Sequence, residues 1–110
     1  MTYSIEHFNT SVQAAIEEWP PGIRASYVRI VRQMVVSGPN LGLPYTRAFG
    51  DGLFEIRARG EEGHGRAFFC TQVERRIIIL HGFIKKTQQT PQKELLLARK
   101  RLKEIRNDQR

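Results

Sequence analysis

The chain is 110 residues long with a formal net charge of +7 and one cysteine. That length suits one domain, and the lone Cys70 excludes an internal disulfide and a cysteine-rich zinc site. No apolar run approaches the roughly 20 residues needed to span a bilayer, and Met1–Thr10 lacks the apolar core of a signal peptide, so a cytoplasmic protein without a membrane partner is expected.

Tyr3–Phe8 alternates enough to predict a short strand. Asn9 or Thr10 then offers a helix cap, and Thr10 with Gln13 matches a capping box. Val12, Ala15, Ile16 and Trp19 recur at helical spacing until Pro20-Pro21. Pro21 also suits the first position of a second helix. Its apolar stripe is Ile23, Tyr27, Ile30 and Met34, widened by Val28, Val31 and Val35, and Gly38-Pro39 ends it. Leu41–Phe49 reads as a loop, or a loop ending in a short extended piece, and Gly50-Asp51-Gly52 as a turn.

Three strands follow. In Leu53–Arg59, Leu53, Glu55, Arg57 and Arg59 face away from Phe54, Ile56 and Ala58. A glycine-rich link, 60–65, suits a hairpin. In Arg66–Val73, Arg66, Phe68 and Cys70 share a face. In Arg75–Ile84, strict alternation places Ile77, Ile79, His81 and Phe83 together, with Lys85 continuing that parity. Ile77–Leu80 is the most apolar segment, as a strand covered on both sides requires. Thr90-Pro91 predicts a helix start, and Leu95, Ala98, Leu102 and Ile105 form its apolar stripe. The order β-α-α-β-β-β-α predicts an α+β fold. Its antiparallel, mixed-edge sheet carries an N-terminal helical hairpin and a C-terminal helix, with the helices on one face and cations on the other.

The charge is uneven: residues 84–110 hold nine Lys and Arg against Glu94, Glu104 and Asp108. Such a field draws polyanions, although a solvated basic helix has the same composition. There is no P-loop, nucleophile elbow or dinucleotide fingerprint, and His7, His64 and His81 lack metal-ligand spacing, so neither cofactor nor metal is expected. What remains is a set of strand cations: Arg57, Arg59, Arg66, His81, Lys85 and Lys86. Arginine meets phosphate oxygens bidentately, histidine moves protons near neutral pH, and a lysine among other cations can act as a base. Each residue has a plainer reading. Arg57 and Arg66 either pair with Glu55, Glu61, Glu62 or Glu74 or face a ligand. His81 suits a hydrogen-bonded strand end, His64 a solvated turn, and Cys70 the core.

Taken together, LFEIRAR, the glycine-rich turn, GRAFF, and HGFIKKTQQTP followed by a basic amphipathic helix resemble the phage Gp49-like, HigB-type branch of the RelE/ParE toxin superfamily. The resemblance covers roughly residues 41–105. It implies a single RelE-like domain over 1–110, the toxin of a type II toxin–antitoxin pair. It also implies a ribosome-dependent mRNA endoribonuclease and a cognate helix-turn-helix antitoxin, with ribosome and mRNA as partners. Arg57, Arg66, His81 and Lys85 are the implied catalytic set. Arg59, Lys86, Lys93, Arg99, Lys100 and Lys103 are the expected RNA- and ribosome-binding set. RelE carries a catalytic tyrosine near its C-terminus, whereas this chain has none after Tyr45, so proton transfer falls to His81, a lysine or the ribosome. Two other readings share these features: a ParE-like inhibitor of DNA gyrase, and a non-catalytic RNA-binding module.

Overall fold

A computed structural model describes residues 2–108. In chain order they form β1 (Ser4–His7), α1 (Thr10–Glu17), α2 (Pro21–Ser37), β2 (Thr46–Gly50), β3 (Leu53–Gly60), β4 (Gly63–Gln72), β5 (Arg76–Lys85) and α3 (Gln92–Asn107). The fold is the expected α+β arrangement with one strand more, since the extended end of the 41–49 segment pairs with β3. The sheet runs β1-β5-β4-β3-β2. Its last four strands are antiparallel to their neighbours, while β1 lies parallel to β5 at the edge. Glu6 accepts from Arg76 at 2.7 and 2.9 Å and ties those two strands together.

The helix starts differ slightly from expectation. Asn9 caps α1, its Oδ1 accepting from the Val12 amide at 2.9 Å, so Thr10 is already helical and the Thr10–Gln13 box does not form. The start of α2 borrows its acceptor from the β3–β4 turn: Glu62 Oε2 accepts from the Gly22 amide at 2.9 Å, a carboxylate placed where the helix dipole favours one. In α3, Pro91 rather than Thr90 holds the cap position, without a side-chain bond.

Helices cover both faces of the sheet, not one. On the first face Ile16, Trp19, Ile23, Tyr27, Ile30 and Met34 pack on Ile56, Ala58, Ala67, Phe69, Ile77 and Ile79. On the second, Leu95, Ala98, Leu102 and Ile105 of α3 cover Leu53, Phe68, Cys70, Ile78 and Leu80. The run Ile77–Leu80 is therefore apolar throughout because each of its sides has a helix above it. The α1–α2 pair lies so close to the sheet that a Cβ on Gly65 would come within 2.7 Å of Trp19, and one on Gly82 within 2.7 Å of Ile16.

Strict alternation fails in β5. Phe69 pairs with Ile79 but Phe68 with His81, so Leu80 is an extra, unmatched residue. This bulge resets the parity. Ile77 and Ile79 stay under the helical hairpin, whereas His81 and Phe83 join Phe68 on the other face. β2 has a second bulge, where Phe49 is skipped between Ala48 and Gly50.

Candidate functional site

The second face is only half covered by α3, and cations fill the rest in rows set by the strand register. Residues directly opposite on antiparallel strands share a face. Arg59, His64 and Lys85 form one row across β3, β4 and β5. Arg57, Arg66 and Phe83 form the next, roughly 7 Å along the strands. Arg47, Glu55, Phe68 and His81 form the third. Arg57, Arg66 and Lys85, far apart in the chain, thus converge. They do so only because of the Leu80 bulge; in a regular strand His81, Phe83 and Lys85 would face α1.

Arg66 lies at the bottom of this face, 4% exposed. Its Nη1 donates to the Gly65 carbonyl at 3.3 Å, and its Nε finds no hydrogen-bond partner among the described residues. Glu55 is buried beneath the same cations. Its Oε1 accepts from Arg57 Nη1 at 3.2 Å and lies 3.7 Å from Arg66 Nε, too far for a hydrogen bond. One carboxylate therefore serves both arginines, and Arg47 also acts on it. Burial pushes the Glu55 carboxyl up, and Arg66, Arg57 and Arg47 oppose that shift. Burial and the same arginines push the Lys85 ammonium down, and its Nζ donates to the Gln88 carbonyl. Arg57, Lys85, Arg47 and Phe49 open onto a hollow of about 340 Å³ walled by Gln88, Gln89, Thr90 and Leu95. The TQQT stretch thus forms the side of a cation-lined depression. A second hollow of about 260 Å³, between α2 and Leu41–Tyr45, has a more apolar lining and no such cluster.

The other expected site residues are placed as follows. His81 shares the face, but its Nε2 lies 3.3 Å from Glu94 Oε2 of α3, and its ring stacks on Phe83 at 5.7 Å. Burial holds its pKa below the ordinary 6.5 despite Glu94. Lys86 follows the last residue of β5 and is exposed; Lys93, Lys100 and Lys103 are exposed along α3. Arg99 turns inward instead: its Nη2 donates to the Phe49 carbonyl at 2.9 Å and Nη1 to that of Gly50 at 3.5 Å. Arg101 likewise donates to the Leu80 carbonyl at 2.7 Å, with its guanidinium over the Phe8 ring. Arg106 donates to the Asp51 carbonyl. Both bulge residues, Phe49 and Leu80, thus have their carbonyls met by arginines of α3. That gives Arg99 a structural task in place of the solvent-facing one expected of a phosphate contact.

Sequence reading missed three contributors. Arg47 falls in the segment that reads as a loop or a loop ending in a short extended piece, and only its pairing across the Gly50–Gly52 turn sets it beside Glu55. Glu55 was visible only as one of several partners for the arginines. His64 reads as part of the glycine-rich turn, whereas β4 begins at Gly63 and puts it in the first row.

The cations thus gather on one sheet face of a small α+β domain, beside a hollow of about 340 Å³. A model of the phage-derived protein Gp49-like family matches residues 14–103, and the chain belongs to that family. It is a toxin family of toxin–antitoxin systems, which places this chain on the toxin side with an antitoxin as implied partner. No curated protein matches the chain. Among the described residues no helix is long and apolar enough to cross a membrane.

Proposed function

We propose that this toxin is a HigB/RelE-type endoribonuclease that cuts mRNA on the ribosome, without a metal ion. The observation that carries the reading is the convergence of Arg57, Arg66 and Lys85 on one solvent-reachable face with Glu55 as their shared carboxylate. In the reaction O2′ attacks the adjacent phosphorus, the P–O5′ bond breaks, and a 2′,3′-cyclic phosphate and a 5′-hydroxyl result. Negative charge grows on the non-bridging oxygens, where the fixed donors of Arg66 and Arg57 strengthen their hold without reorganising. Lys85, its pKa already depressed, gives a proton to O5′. The ribosome supplies the in-line geometry, since orientation alone is worth up to several kcal/mol. Lys86, Lys93, Lys100 and Lys103, with Arg59 at the site's rim, hold the RNA and ribosome through their phosphates.

The test is to add the protein to translating ribosomes and map mRNA 5′ ends by primer extension. New ends within codons are expected, and Arg66→Ala should lower the cleavage rate by roughly 10²–10³ while the protein still folds, as losing one oxyanion donor does elsewhere. No new ends with the unmodified protein overturns the proposal. Accumulated gyrase–DNA complexes in cells expressing the protein, with no new mRNA ends, would transfer the toxin to the gyrase class.

A further inference from the structure

We propose that His64 is the proton acceptor for the attacking 2′-hydroxyl, an assignment that rests on the nuclease reading above. Of the three histidines, His7 lies on the β1 edge and feels Glu17, and His81 is held against Glu94 under α3. His64 alone is exposed on the cation face, directly between Arg59 of β3 and Lys85 of β5. It is two residues from Arg66 on the same strand, so both side chains project the same way. The next residue faces the other way: a Cβ on Gly65 would come within 2.7 Å of Trp19 and 2.8 Å of Ile23, so His64 and Arg66 project away from the helical hairpin.

The charges around the ring suit a base. Partial burial keeps the imidazole below its ordinary pKa of 6.5, and the charged groups acting on it, Arg66, Arg59, Lys85 and Arg57, are all cations that push the same way. Of the acids in the adjoining turn, Glu62 is engaged with the Gly22 amide, and Glu61 is exposed. A neutral ring at physiological pH has one nitrogen free to accept. The proton of the 2′-hydroxyl passes to that nitrogen as O2′–P forms, and Lys85 protonates O5′ as P–O5′ breaks. The imidazolium then returns its proton to water and Lys85 regains one. Arg66 and Arg57 remain charged throughout.

Single-turnover cleavage of mRNA on ribosomes with a defined A-site codon, followed from about pH 5 to pH 9, tests this. The unmodified protein should show a rate that rises with pH through an acidic limb below about 6.5, levels, and falls on an alkaline limb as Lys85 loses its proton. His64→Gln should lose roughly 10²-fold or more of the plateau rate and the acidic limb with it. His64→Ala should recover part of its rate on adding imidazole. Because the site is exposed, both should melt close to the unmodified protein. His81→Gln should keep the acidic limb. Variants of His64 that cleave at the unmodified rate, or that lose rate but keep the acidic limb and ignore imidazole, overturn the assignment while leaving the nuclease reading intact. An unmodified protein that cleaves nothing overturns both.

Discussion

Glu55, 1% exposed, is the residue on which the cation face balances. Without its charge Arg57, Arg66 and Arg47 would face one another with no carboxylate among them. Glu55→Gln keeps the shape and removes the charge. Breaking a buried pair costs about 3–5 kcal/mol, and because Arg57 reaches water the lower end applies, a loss of about 3 kcal/mol measurable by urea unfolding. The carboxylate also raises the Lys85 pKa against the arginines. Its removal should therefore move the alkaline limb of the cleavage profile to lower pH, and an unmoved limb would detach Lys85 from proton transfer. The pairing of Arg57 and Arg66 with an acid was foreseeable from the residue types, but not that one acid serves both. Strand parity alone does not tell which carboxylate is buried beneath a guanidinium.

At the scale of elements, the apolar stripes of α1, α2 and α3 were readable because each is continuous and repeats at helical spacing. The bulge was not readable. In Ile77–Leu80 every residue is buried, so period two leaves no mark where one position is skipped. Nor did the basic composition of α3 separate Lys93 and Lys103, which are exposed, from Arg99 and Arg101, which meet strand carbonyls. Arg101→Ala strips the Leu80 carbonyl of its donor, at a cost of about 1–3 kcal/mol. That predicts a fall in melting temperature of several degrees, together with slower cleavage as the exit of β5 loosens. Gly82→Ala should be as harmful by another route, since its Cβ meets Ile16 at 2.7 Å; overpacking of this kind costs roughly 1–3 kcal/mol. Calorimetry on the two variants checks both.

Across the whole molecule the net charge of +7 is distributed unevenly, with α3 carrying a large share. Ribosome association should weaken steeply between about 50 and 200 mM salt. Replacing Lys93, Lys100 and Lys103 together with Glu should raise KM and reduce the salt slope while sparing the rate at saturation. Stability should also depend on pH in a defined direction. His7, His64 and His81 all sit below 6.5, burial being the main cause in each, so the fold favours the neutral rings. Their contribution is present above 6.5 and is lost as pH falls through the lowered values. Glu6, held down by Arg76, and Glu62, held down by the Gly22 amide, add a further loss below 4.5. Glu55 works the other way, because its raised carboxyl protonates more readily in the fold. The melting temperature should therefore decline from about pH 6.5 downward and faster below about pH 4.5, with His81→Gln flattening the first stage. One consequence follows from the arginines that α3 sends to Phe49 and Leu80. A nascent chain makes all five strands before Gln92, so the parts of the cation face emerge from the ribosome before the element that locks them. A chain still being translated would therefore lack the donors that α3 sends to the Phe49 and Leu80 carbonyls.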